Sequence, residues 1–120
     1  MIEVFSGSLV LRGDKVLMFY NEEEDFWDVP SGKRKEAELS ADAASRITEK
    51  FTGCSSEVLK YQRKFKTTFQ SAEGEATWQP YMVEISGSPD EGEWVKKDEL
   101  PSKQLSPPLQ NIEEKLADKL

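Results

Sequence analysis

The chain predicts an α+β domain whose strands and two helices pack in layers. Three observations carry this. Short β-rich runs recur along the chain with turn residues between them. An alanine-rich segment with helical character sits in the middle. A proline-led segment rich in helix formers closes the sequence.

Taken in order, residues 2–11 alternate loosely and predict a strand, broken by Arg12-Gly13-Asp14. Residues 15–20 predict a second strand, and the two together predict a hairpin. After the acid run Glu22-Glu23-Glu24-Asp25, which reads as a solvated loop, residues 26–29 predict a short strand. Pro30-Ser31-Gly32 predicts a turn. Ser40 is the expected N-cap of a helix, with Asp42 in its first turn. That helix should run to about Phe51, with Gly53 just past its end. Residues 57–70 are β-rich and residues 71–74 form a turn. Residues 76–85 predict a strand in which Pro80 implies an edge position or a bulge. Residues 87–92 are a loop, Trp94-Val95 opens a last short strand, and Asp98-Glu99-Leu100 starts a turn. Residues 107–118 predict a terminal helix, with proline tolerated in its first turn.

Composition narrows the chemistry. The 120 residues suit one domain spanning 1–120, and 37% hydrophobic against 32% charged residues predicts a soluble globule. No apolar run is long enough for a membrane span and no signal-peptide pattern opens the chain, so the cytoplasm is the expected compartment. The single cysteine, Cys54, rules out an intrachain disulfide and a zinc-thiolate cluster. No histidine is present, which removes histidine bases, triads and metal ligands. Any metal would need carboxylate oxygens. The formal charge of −7 disfavours polymeric nucleic acid while leaving a small nucleotide open.

One constellation stands above the rest. Gly32 is followed after five residues by Glu38 and after seven more by Arg46, with Gly53 seven positions beyond Arg46. This spacing resembles the Nudix box of the MutT-like pyrophosphohydrolases, G-x5-E-x7-R-E-U-x-E-E-x-G-U. The flanks resemble that family as well. Trp27-x-x-Pro30-x-Gly32 resembles its lead-in. Gly7 with Leu9-Val10-Leu11 and Lys15-Val16-Leu17 resembles its opening hairpin. Glu93-Trp94-Val95-x-x-Asp98-Glu99-Leu100 resembles its closing strand and turn. The resemblance implies an α/β/α sandwich with a mixed sheet between helices. It also implies Mg²⁺- or Mn²⁺-dependent hydrolysis of a nucleoside diphosphate derivative. In the family three clustered glutamates hold that metal, and here their positions read Ile47, Lys50 and Phe51. The glutamate matching Glu38 pairs in the family with the arginine matching Arg46 and braces the loop on the helix. Asp42, four residues before Arg46, is a second partner for it by spacing.

Helix geometry tests whether another acid could serve. At about 100° per residue, Phe51 lies about 40° from Ile47 on one side and Lys50 about 60° on the other. Ala43, Ala44 and Cys54 project near the same face, making it an apolar stripe bordered by a cation. Glu49, the remaining carboxylate in this stretch, points about 200° away.

Three readings therefore remain, the third being a purely structural or oligomerising domain with no small ligand. The first is a non-hydrolytic module that binds a nucleotide or a protein partner, with no resident metal and with oligomerisation open. Its candidate ligand contacts are Lys33, Arg34 and Lys35 of the box loop together with Ile47 and Phe51. The second is a displaced-site hydrolase drawing metal ligands from Glu36, Glu38, Asp90 or Glu91. Trp27, Trp78 and Tyr81 are ring-stacking candidates that core packing would equally explain. The basic cluster Arg63, Lys64 and Lys66 reads as a solvated strand face, and Cys54 as a small buried hydrophobe.

Overall fold

The computed structural model describes residues 3–120, so residue 2 of the first expected strand lies outside the described residues. The strands are β1 (Glu3–Leu9), β2 (Leu11–Arg12), β3 (Lys15–Asn21), β4 (Phe26–Asp28), β5 (Ser31–Lys33), β6 (Ser56–Tyr61), β7 (Thr67–Ser71), β8 (Gly74–Ile85) and β9 (Glu93–Lys96). The helices are α1 (Ser40–Thr52) and α2 (Pro107–Lys119), with 3-10 turns at Arg63–Phe65 and Lys97–Ser102.

The larger sheet runs β5-β1-β8-β6, with β7 also paired to β8. It is mixed, because β1 and β8 run parallel from Glu3↔Ala76 to Leu9↔Met82 while the other pairs are antiparallel. The smaller sheet joins β2, β3 and β4, with β9 on β3.

The expected first hairpin is mostly absent. Both edges of β1 are taken, by β5 and by β8, so β1 cannot also pair with β3. The chain changes sheets at Val10, and only Leu11 and Arg12 pair with β3. Pro30-Ser31-Gly32 is likewise not a turn: Ser31 to Lys33 are strand, with Gly32 opposite Ser6. Pro80 is not at a sheet edge, since β8 is flanked on both sides. It sits where β7 gives way to β6, between Thr67↔Trp78 and Tyr61↔Tyr81. The Pro80 carbonyl accepts from the Gln62 N–H across this gap, where a missing donor costs no ladder bond.

Helix α1 begins with Ser40 as its first helical residue and Leu39 at the cap position, not with Ser40 as the cap. It ends at Gly53, whose φ of 71° is the left-handed conformation that glycine adopts without a Cβ penalty. Each helix covers one face of the strands. Ser6 and Ser8 donate to the Ser40 and Ala44 carbonyls, tying β1 to α1. Leu17, Val83 and Ile85 pack around Ala44 on that side. On the other side Leu9, Val16, Met18 and Trp78 pack with Leu109, Ile112 and Leu116 of α2. The Trp78 ring lies directly on Gly7, where any Cβ would collide with it. The result is a layered α+β fold with strands between two helices.

Candidate functional site

On α1 the residues at the family's metal positions are occupied by packing. Ile47 is 3% exposed. Its Cδ1 lies 3.2 Å from where a Cβ on Gly32 would be, so the glycine makes room for the isoleucine. Phe51 is 38% exposed and meets the Phe19 ring edge-on, at 5.2 Å between centroids and 69° between planes. Lys50 is exposed. The face expected to be an apolar surface is thus mainly core. Ala43 and Ala44 are fully buried with Ile47, and Phe51 is the apolar group that surfaces.

A divalent cation needs several oxygens within roughly 2.0–2.6 Å. This face offers a buried aliphatic chain, an ammonium group and a ring packed edge-on against another, and does not fit the ion. Glu49 points away, as the helix geometry predicts, and accepts from the Ser56 N–H and hydroxyl at 2.9 and 3.0 Å. Glu36, Asp90 and Glu91 are exposed, and among the described residues no three acidic or thiol groups converge on a metal-sized point.

Glu38 is engaged elsewhere. The Arg46 guanidinium donates to it through Nε at 2.8 Å and Nη2 at 2.9 Å, a fork on a carboxylate. The Lys35 N–H adds a third donor at 2.9 Å. Arg46 Nη2 also reaches the Lys33 carbonyl at 3.2 Å, so one side chain ties β5 and the following loop to α1. These donors, Arg46 first, hold the Glu38 carboxyl down at about 2. Asp42 is exposed on the helix surface, and Glu38 is the carboxylate that Arg46 holds. In the box loop, Lys33 is paired with Glu3 at 3.0 Å and Glu73 at 2.8 Å. Arg34 and Lys35 are exposed.

The concave surface lies beside this face. One cleft of about 490 Å³ is lined by Phe19, Phe51, Glu22, Glu23, Asp28 and Ser31, among others. A second, of about 530 Å³, is lined by Phe5, Phe69, Trp78, Asp28, Ser31 and Ser106, among others. Asn21, Asp28 and Ser31 line both, so Asp28 stands at the waist of one extended groove.

Asp28 is placed there by the chain ends of two distant elements. Residues 104–106 run beside β4: Trp27 N–H donates to the Gln104 carbonyl, and Ser106 N–H to the Trp27 carbonyl. This brings the Ser106 hydroxyl to 3.0 Å from Asp28 Oδ1. Ser31 and the Val29 N–H lie beside the carboxylate and favour its charged form, and Trp78 Nε1 donates to the Ser31 hydroxyl at 3.2 Å. Burial outweighs these donors and pushes the Asp28 carboxyl up to about 7. A group poised between its two protonation states in a cleft is a functional-site candidate. Sequence reasoning missed it. Asp28 sat at an unspecified position of Trp27-x-x-Pro30, and nothing near Ser106 announced that it would fold onto β4.

No protein-family model and no curated protein matches the sequence. Solved structures do. A Nudix hydrolase from Nitrosomonas europaea superposes with a TM-score of 0.79 at 18% identity, covering 99% of this chain and 91% of that one. A MutT protein from Methanosarcina mazei gives 0.78 at 16%, covering 98% and 94%. An ADP-ribose pyrophosphatase from Streptococcus suis gives 0.73 at 15%, covering 98% and 88%. At such identities it is the fold that is established, and the fold of this chain is that of the Nudix and MutT hydrolases.

Proposed function

We propose that this protein is a non-hydrolytic binding module on a Nudix scaffold, holding a small ring-bearing ligand of the nucleotide class in the groove around Asp28. The observation that carries the reading is what occupies the α1 face: Ile47 is buried on Gly32 and the Phe51 ring is set against Phe19. Without a bound cation, phosphoryl transfer has little to neutralise its developing charge or to activate water. The groove still has what binding requires, namely apolar walls with a few convergent polar groups.

Hydrolysis of a nucleoside diphosphate derivative is the competing reading. It draws on the likeness to hydrolases such as the ADP-ribose pyrophosphatase. It would require carboxylates that Glu38, committed to Arg46, and the exposed Glu36, Asp90 and Glu91 would have to supply. One experiment separates the two. Calorimetric titration with Mg²⁺ and Mn²⁺ is paired with a product assay on nucleoside diphosphate derivatives at high protein concentration. The expected result is neither micromolar metal binding nor metal-dependent release of phosphate or nucleoside monophosphate. Either signal overturns the module reading.

A further inference from the structure

The half of the groove beside α1 keeps apolar rings in water. Among the described residues four large apolar side chains are exposed, and two of them, Phe51 at 38% and Tyr20 at 46%, line this one cleft of about 490 Å³. Each is backed by a second ring: Phe51 meets Phe19 edge-on, and Tyr20 lies 5.5 Å from Trp27. That backing fixes the exposed rings, so a partner loses little freedom in meeting them. Single exposed apolar residues are ordinary, but two set rings in one cleft mark an interaction surface.

The rim of the cleft is acidic. Glu22 and Glu23 line it, in a run with Glu24 and Asp25. The loop is pinned by its own hydrogen bonds: the Glu24 N–H donates to Asn21 Oδ1 at 3.1 Å, and the Tyr20 hydroxyl donates to Asp25. Neither bond uses Glu22 or Glu23, and among the described residues no lysine or arginine pairs with either. Lys50, next to Phe51 in the chain, projects about 100° away around the helix and does not line the cleft. Other cations are engaged elsewhere, Lys33 with Glu3 and Glu73, and Lys103 with Glu93 and the Trp27 ring.

These groups together select the chemistry of the occupant. Unpaired carboxylates repel a phosphate and attract a cation. A compact metal ion is not served, because among the described residues no three acidic groups converge on one point. A guanidinium suits both features, since its flat face covers a ring while its N–H fork meets a carboxylate. A lysine ammonium answers the charge alone.

We propose that this half of the groove docks an arginine-bearing segment of a protein partner, the guanidinium lying on Phe51 and donating to Glu22 and Glu23. The inference goes beyond the ring-ligand reading and does not rest on it. It uses the exposed rim and asks nothing of Asp28.

The test titrates the intact chain by calorimetry, at low and at high salt, with the capped peptide Gly-Ser-Arg-Arg-Ser-Gly and its Lys-Lys and Glu-Glu counterparts. The arginine peptide should bind at least about fivefold more tightly than the lysine peptide. Its affinity should fall with salt, and the glutamate peptide should be silent. Phe51→Ala, and separately the double variant Glu22→Gln/Glu23→Gln, should each weaken the arginine peptide by about tenfold or more. The double variant Glu113→Gln/Glu114→Gln, on α2 and lining neither half of the groove, should leave it unchanged. Circular dichroism checks that each variant keeps the native spectrum. Equal losses in the two glutamine pairs would show attraction to net charge and overturn the proposal. Equal affinity for the arginine and lysine peptides overturns it as well, as does silence of both at millimolar concentration. So does salt-sensitive self-association that Phe51→Ala abolishes, seen by sedimentation without peptide, because the occupant is then a second copy of this chain.

Discussion

Asp28 shows how much a residue's chemistry depends on chain far from it. Its partner Ser106 is 78 positions away, and the two meet because residues 104–106 lie beside β4. Burial raises the carboxyl from an ordinary 3.8 to about 7. In the unfolded chain the group releases its proton near its ordinary value, whereas the folded chain keeps it until about pH 7. The native state thus binds more protons between those limits, and its stability falls as pH rises through them. Asparagine preserves the shape and removes the titration. From about pH 5 to about pH 8 the native protein should lose roughly 2 kcal/mol more than Asp28→Asn does. Urea unfolding of both at the two pH values measures the difference. Equal losses would mean that the carboxyl is not buried as described.

At the scale of elements, α1 is tied to β5 and the loop after it by one forked ion pair. Glu38 receives two donors from Arg46 and one from the Lys35 backbone, and Arg46 also reaches the Lys33 carbonyl. The depressed Glu38 carboxyl, at about 2, contributes stability that is fully present above its ordinary value near 4.5. That contribution fades as pH falls through the folded value. Glu38→Gln should therefore lower Tm at about pH 6, and the gap between variant and native protein should narrow by about pH 3. Thermal unfolding followed by circular dichroism at both pH values reads this directly. A gap that is constant with pH would point to packing and not to charge. This brace was legible through the family resemblance that the Gly32, Glu38, Arg46 and Gly53 spacings carry, whereas local spacing alone left Asp42 as a second partner for Arg46. The strand Ser31–Lys33 was not legible. Proline, serine and glycine predict a turn, but Gly32 is there because Ile47 of α1 needs the space above it.

Across the whole molecule, the α1 face that carries metal ligands in Nudix enzymes has become part of the seam between helix and sheet. Ile47 fills that seam with Ala43 and Ala44. Restoring a carboxylate there would place an unpaired charge between layers. Ile47→Glu should lower the unfolding free energy by about 3 kcal/mol, while Lys50→Glu, on the exposed side, should change it by less than about 1 kcal/mol. Chemical denaturation compares the two, and equal small effects would show that the face is open to water. Among the described residues, no helix is long and apolar enough to cross a membrane.

The sequence by itself determined the frame. Spacing along one helix, a glycine at its end and the flanking strand signals are local quantities, and they led to the fold that the solved structures share. The same arithmetic placed Ile47, Lys50 and Phe51 together and turned Glu49 away. Tertiary structure alone decided which of these groups meet water. It buried Ile47 and left Phe51 at the groove. It spent both edges of β1, so that the expected hairpin shrank to two residues. It also folded Ser106 onto β4 and left Asp28 at the waist of an acidic, ring-lined groove. Burial and charge balance depend on what other parts of the chain bring to a point, and no local pattern encodes that.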